Sequence, residues 1–364
     1  MNIDFDMPAR VFSGKGCIEE NMNILNSFGK KCIIVTGGKS ALLSGALDDC
    51  TAALSALDIQ YSVFDKITPN PTTQSCFEGG RFAAAEQADF IVGIGGGSAL
   101  DAAKAIAIYA KNQKLSAADI YNREYPAPAL PVVLIGTTAG TGSEVTGVSV
   151  LTNSDSGRKK SISGADCYAA LSFCDYRYTL SAPFEVYVST ALDAFSHACE
   201  SYLSSSANCI SDMFALEAIR ELYSFIVSPA DDIPSVSRER IYYASVYAGF
   251  AINKSGTAFP HTVGYYLTEN YRVPHGRACA VFLPLLFSRA KKYYPDKLRV
   301  ISEICGCSIE KLGNAVKNTA AVKVKISEAE ADAAAVRWCG KIRNFERSPG
   351  GFSAVDAKEA LISI

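Results

Sequence analysis

Histidine is scarce in this chain. Its 364 residues contain three, His197, His261 and His275. No apolar run reaches the ~18 residues that a membrane-spanning helix needs, which argues against a membrane protein. Neither sign of charge is in excess: 35 Lys and Arg face 37 Asp and Glu, a net −2. That balance gives no reason to expect nucleic acid or an anionic membrane surface as a partner. The opening residues, Met1 to Asp6, are acidic and lack the apolar core of a secretion signal. Twelve cysteines are present, but none has zinc-knuckle or thioredoxin-like spacing; the nearest pair, Cys305 and Cys307, is one residue apart. So many scattered thiols fit a reducing cytoplasm better than a disulfide framework. No internal repeat and no low-complexity segment is visible.

What is present alternates. Lys31–Thr36 is a short apolar run closed by Gly37 and Gly38. A helical pattern follows over residues 40–57. Strand patterns at 59–65, 90–94 and 130–136 are separated by helical patterns at 73–86 and from Gly97 to about 110. Strands alternating with helices predict a parallel sheet, and near-continuous apolar strands predict cover on both faces. Residues 145–152 and Lys159–Ser163 read as a hairpin. From about residue 183 only helical periodicity remains, at 188–203, 211–227, 237–254 and 278–292. At ~150 residues per domain, the length fits two domains. The expected division is 1–180, an α/β dinucleotide-binding domain, and 181–364, a helical metal-binding and substrate domain.

Three polar stretches stand out. Gly95-Gly96-Gly97-Ser98 follows a strand and opens a helix, where glycines and free N–H groups suit a diphosphate. Its spacing is not GxGxxG, and a tight strand–helix turn is the plain alternative. Gly37-Gly38-Lys39-Ser40 fails as a P-loop because Ile33 stands where the first glycine belongs; it remains a candidate ribose-side turn. Residues 137–144, TTAGTGSE, follow a strand directly, the position where open α/β sheets bind ligands. The plain reading there is a polar loop that caps a helix.

The histidine settings suggest a metal. Asp193 and His197 are four apart in an amphipathic pattern, so they share a helix face and can hold one ion from consecutive turns. A helix-surface ion pair is the plain alternative. His275 sits in the rigid Pro274-His275-Gly276 turn, and His261 follows Pro260. One carboxylate and three imidazoles suit Fe²⁺ or Zn²⁺.

Taken together, these blocks resemble the iron-containing (group III) alcohol dehydrogenases. The resemblance is carried by residues 89–98 with Asp101 and Lys104, by Pro69-Asn70-Pro71-Thr72, by 137–144, by Asp193 with His197, and by Pro274-His275-Gly276. It spans residues 8 to 290 and adds little over the last 70. It implies the dehydroquinate synthase-like fold, with a dinucleotide-binding α/β domain, an all-helical metal domain and an active site between them. It implies cofactor contacts at Asn70, Gly96, Gly97, Ser98, Asp101, Thr137, Thr138 and Thr146, and at Lys159 or Lys160, and metal ligation by Asp193, His197, His261 and His275. A homodimer or larger homo-oligomer is implied too. NADP(H) is expected over NAD(H), because NAD-preferring members often carry an acidic residue where Gly37 stands. A carboxylate would repel a 2′-phosphate, whereas Gly37, Gly38, Lys39 and Ser40 accept it.

The implied activity is hydride transfer between a nicotinamide and a small aldehyde or primary alcohol at the metal. In many relatives a second histidine follows the third ligand by four residues; here Tyr265 stands there, so proton relay through that histidine is in doubt. Residues 251–261 place Lys254, Ser255 and Thr257 ahead of His261. With Tyr265 and Tyr266 after it, the segment resembles the phosphonoacetaldehyde reductase branch, with Lys254 holding the anion. A solvated lysine at a helix end is the plain alternative. A short-chain alcohol or diol dehydrogenase is the second reading, and a dehydroquinate synthase-like lyase or a non-catalytic binding protein the more remote ones.

Overall fold

The computed structural model describes residues 3 and 5–364. The reading of the acidic N-terminus falls partly on Met1, Asn2 and Asp4, outside the described residues. The chain divides into two compact units. One comprises Met7–Thr138 and Ser143–Ala182; the other comprises Pro183–Ile364 with Ala139–Gly142 and residues 5 and 6.

The first unit is built on a six-stranded parallel sheet. Its strands are β1 (Arg10–Ser13), β2 (Lys31–Thr36), β3 (Gln60–Phe64), β4 (Phe90–Gly95), β5 (Val132–Gly136) and, after a hairpin of β6 (Val148–Thr152) and β7 (Lys159–Ser163), β8 (Leu171–Cys174). The order across the sheet is β1-β8-β5-β4-β2-β3. The chain runs outward from β2 to β3, then returns to β4 and continues the other way. The sheet therefore reverses its winding between β2 and β4, the place where such sheets bind ligands beyond their carboxyl ends. Gly37 follows β2 there, and Gly95-Gly96 closes β4.

Side-chain alternation explains the apolar runs. Ile33, Val35, Ile91 and Leu134 enter a core on one face. Cys32, Ile34, Phe90, Val92, Val133 and Ile135 enter a second core on the other. Helices α1 (Cys17–Asn21), α2 (Ser40–Leu43), α3 (Ala46–Ala56), α4 (Thr73–Ala85) and α5 (Gly97–Lys111) cover the sheet. The helix expected over 40–57 is two helices, because Gly45 adopts a left-handed φ of 80° between them. β1 and β8 were not anticipated. Each has four residues, too few to show a period.

The second unit contains helices α6 (Phe184–Tyr202), α7 (Cys209–Val227), α8 (Ser235–Ser255), α9 (Phe259–Tyr271), α10 (His275–Ala280), α11 (Leu283–Tyr293), α12 (Pro295–Cys305), α13 (Ile309–Ala320), α14 (Glu328–Ala335), α15 (Arg343–Arg347) and α16 (Ala354–Ile362). The single helix expected over 278–292 is two, α10 and α11, and Pro284 lies in the first turn of the second. α6 is the central helix; all but Thr190 of residues 187–202 are buried. No helix among the described residues is long and apolar enough to cross a membrane, and all twelve cysteines are free.

Candidate metal and nucleotide sites

Asp193, His197 and Glu200 lie on one face of α6, at i, i+4 and i+7. His261 is the third residue of α9 and His275 the first of α10. The structure brings these side chains together. His261 Nε2 stands 3.3 Å from Asp193 Oδ1, His275 Nε2 3.8 Å and His197 Nε2 4.0 Å from the same atom. The His197 and His261 rings stack, with centroids 4.5 Å apart. One donor atom each from Asp193, His261, His275 and Cys279 lie within 4.8 Å of one another. Asp193 Oδ1 and His261 Nε2 are buried without a hydrogen bond of their own. Buried polar atoms left this way cost free energy unless something else satisfies them. A divalent cation with oxygen and nitrogen donors fits this set.

Two further features fix the cluster. Glu200, fully buried, sits with Oε1 2.5 Å from His261 Nδ1 and accepts the Ala258 backbone N–H through Oε2 at 2.7 Å. A neutral His261 that donates Nδ1–H to Glu200 would keep its lone pair on Nε2, the nitrogen that faces Asp193. Gly276 lets α10 lie against α6: a Cβ there would fall 1.8 Å from the Ser189 carbonyl oxygen. Burial alone would raise the Asp193 carboxyl, but His197, His275 and His261 outweigh it and hold it well below the ordinary carboxylate range. Burial pushes His197 down to about 4, so it is neutral at pH 7, the form that binds a metal. His275 is the member with the most exposed side chain, at 27%.

In the α/β unit the glycine-rich turns meet at the switch point. Gly96 is extended and caps the start of α5. A Cβ there would come 3.2 Å from the Thr138 methyl, so a side chain would crowd the cradle. Ser98 Oγ accepts the Asn70 backbone N–H at 3.2 Å, and Asn70 holds a left-handed φ of 59°. Gly37 bridges to Lys66, and Gly38 is left-handed with open space beside it. Thr137 Oγ is buried without a hydrogen bond, and its N–H donates to Gly95 O at 2.9 Å. Asp101 is engaged by the protein itself: it accepts from Ser143 Oγ at 2.6 Å and from the Val150 N–H at 2.8 Å. Lys104, fully buried, donates to Ser143 Oγ, the Thr146 carbonyl and the Val148 carbonyl at 2.7–2.9 Å. These bonds shape residues 143–150 and bury Thr146. Strand alternation separates the two lysines of β7. Lys159 lends its charge to Asp101, whereas Lys160 lies over the Tyr121 ring at 4.5 Å.

Comparison with known proteins decides the family. The iron-containing alcohol dehydrogenase family matches residues 8–176, and the Fe-containing alcohol dehydrogenase family, C-terminal, matches residues 187–331. A 1,3-propanediol dehydrogenase from Klebsiella pneumoniae is 34% identical over 84% of this chain and 80% of its own length. The chain belongs to the iron-containing alcohol dehydrogenase family. It is an oxidoreductase. An iron-containing alcohol dehydrogenase from Thermotoga maritima superposes with a TM-score of 0.92 at 34% identity, covering 99% of both chains. A sulfoacetaldehyde reductase from Bifidobacterium kashiwanohense, solved with NAD⁺, superposes with a TM-score of 0.87 at 26% identity, covering 100% of this chain and 99% of its own.

In this iron-containing alcohol dehydrogenase the remaining candidates occupy distinct settings. Tyr265 stacks on His275, with centroids 5.3 Å apart and planes 12° apart. Tyr266 instead donates to Glu330 at 2.9 Å. Lys254 lies in the last turn of α8 and is half-buried. Sequence reasoning missed Glu200, Cys279 and Arg347. Glu200 had a signal: an acidic residue three after His197, on the same helix face, inside an otherwise apolar stretch. Cys279 had one too, four residues after His275.

Proposed function

We propose that this enzyme reduces a small aldehyde bearing an anionic group to its primary alcohol, phosphonoacetaldehyde to 2-hydroxyethylphosphonate being the specific case. The observation that carries this reading is Arg347. Its half-buried guanidinium packs against Gly256, where a Cβ would come 1.8 Å from Nη1. It makes no ion pair or side-chain hydrogen bond among the described residues. Burial, and then the charge of Arg343, lowers its proton affinity, as expected of a cation held without an anion. Gly256 lies five residues before His261, beside Lys254 and Thr257, and Asn344 of α15 donates to Thr257 Oγ at 2.9 Å. Guanidinium and ammonium groups there suit a phosphonate or sulfonate.

In this reading Asp193, His197, His261 and His275 hold an iron ion, zinc being the alternative. Gly37, Gly38, Asn70, Gly96, Gly97, Ser98, Asp101, Thr137, Thr138, Thr146 and Lys159 build the cofactor site. NADP(H) is preferred because no carboxylate follows β2. A bound divalent ion polarises a carbonyl oxygen, and a bound nicotinamide supplies or takes the hydride. The chain's own part is to orient. Glu200 fixes the His261 ring, Tyr265 packs the His275 ring, and Lys254 with Arg347 anchors the far end of the substrate. The relay histidine of many relatives is absent here, so the Tyr265 hydroxyl or water carries the proton. A cytoplasmic homodimer is the assembly and location proposed.

A substrate panel tests this. Phosphonoacetaldehyde, sulfoacetaldehyde and butyraldehyde are compared, with NADPH and NADH oxidation followed. Arg347→Gln and Lys254→Ala should raise KM for the anionic aldehydes at least tenfold and leave butyraldehyde unchanged. Equal turnover of butyraldehyde, with both variants silent, would favour the diol or short-chain alcohol reading that the 1,3-propanediol dehydrogenase relative supports. Faster turnover with NADH would reverse the cofactor preference. Family membership sets aside the lyase and the non-catalytic protein.

A further inference from the structure

Cys279 is buried at the metal cluster. Its Sγ stands 3.7 Å from His275 Nδ1 and 3.8 Å from Nε2, and the residue is fully shielded from solvent. Helix geometry puts it there: it follows His275 by one turn of α10, so both side chains leave the same face. It completes the set of four donors within 4.8 Å of one another, with Asp193, His261 and His275.

The separations are those of a shared ion. Two oxygen or nitrogen donors on one tetrahedral ion, at bond lengths of 2.0–2.1 Å, lie about 3.3–3.4 Å apart, and a sulfur at 2.3 Å lies about 3.6 Å from either. Asp193 Oδ1 to His261 Nε2 is 3.3 Å, Asp193 Oδ1 to His275 Nε2 is 3.8 Å, and the sulfur to the same His275 nitrogen is 3.8 Å. His197 stands farther from Asp193, at 4.0 Å, with its ring stacked on His261. Two atoms of the four-donor set, Asp193 Oδ1 and His261 Nε2, are buried without a hydrogen bond, as is Nδ1 of the neighbouring His197.

We infer that Cys279 is a sulfur ligand of the metal centre, a donor that the Asp-His-His-His set does not contain. The inference rests on the metal-site reading above. On ligation the metal–sulfur bond forms as the S–H bond breaks; the proton goes to solvent and no oxidation state changes. A thiolate in the set favours softer ions, so zinc competes with iron more strongly at this centre than at an all oxygen-and-nitrogen one.

The test is cobalt substitution of the full-length, metal-free protein. Wild type should take up one equivalent of Co²⁺ and show a sulfur-to-cobalt charge-transfer band in the near ultraviolet. Cys279→Ser should bind cobalt without the band and lose at least tenfold in zinc affinity, with a smaller loss for Fe²⁺. Cys199→Ser, a buried cysteine of α6 outside the cluster, should keep the band. X-ray absorption of zinc-loaded wild type needs no variant, and should show one sulfur at about 2.3 Å. Matching spectra for cobalt-loaded wild type and Cys279→Ser, or a zinc shell without sulfur, would overturn the inference and leave the metal site standing. A wild-type protein that binds no cobalt at all would overturn the metal-site reading and this inference with it.

Discussion

Single carboxylates decide two properties of this enzyme. Glu200 does not face the cluster centre, yet its bond to His261 Nδ1 fixes which nitrogen points at Asp193. Partners of this kind are worth about 10–100-fold in metal affinity. Glu200→Gln keeps the shape but exchanges the anion for a neutral amide. It should weaken metal retention by about that factor, measured by competition with a chelator, while the fold stays intact. Unchanged retention would reduce Glu200 to a packing residue. Glu144 acts on stability instead. Burial pushes its carboxyl up to about 7, only partly offset by Lys104. The folded state therefore holds the proton more tightly than the unfolded chain, whose value is 4.5. The benefit is complete below 4.5 and is lost as pH rises through 7. At about 1.4 kcal/mol per tenfold in proton affinity, the loss is roughly 3 kcal/mol. Glu144→Gln should remove it, so the variant's Tm gains on wild type between pH 5 and 8. Parallel Tm–pH curves would show that Glu144 titrates normally.

At the scale of elements, the short α10 carries His275 and depends on its contact with α6. Gly276→Ala puts a methyl against the Ser189 carbonyl oxygen and the Asp193 backbone, so α10 must move off. Overpacking of this kind costs about 1–3 kcal/mol. The movement also separates His275 from Asp193. Gly276→Ala should lower Tm and lose metal together; metal content at wild-type level after purification would mean that α10 tolerates the shift. The same scale shows what could be read from sequence. β2 carries the continuous apolar run Cys32–Val35, buried on both faces, and its expected bounds coincide with the observed Lys31–Thr36. Long α6 and α7 were legible because many turns repeat the pattern. β1 and β8 were not, since four residues carry no period and their pairing is set by distant chain. Asp193, His197, His261 and His275 could be proposed from spacing and resemblance, because three histidines in 364 residues make each conspicuous. Cys279 was hidden among twelve cysteines, and Arg347 lies where no motif reaches; only folding brings it to Gly256.

At the scale of the molecule, each unit has its own interior and its own proposed ligand. A ligand that binds only the folded state stabilises it in proportion to the logarithm of its excess over Kd, about 2.7 kcal/mol at a hundredfold. The single tryptophan, Trp338, is buried in the helical unit, between Tyr266 and Phe345. Its fluorescence therefore reports the unit that carries the metal cluster. A Tm shift of about 2–4 °C per kcal/mol is usual for 150–250 residues, so saturating metal should raise the Trp338 midpoint by roughly 5–10 °C over chelated protein. A dinucleotide added to chelated protein has its proposed site in the other unit, and should move that midpoint less than metal does. Equal shifts from the two ligands would show that both units melt in one cooperative step. A midpoint indifferent to metal would place the ion outside the Asp193 cluster.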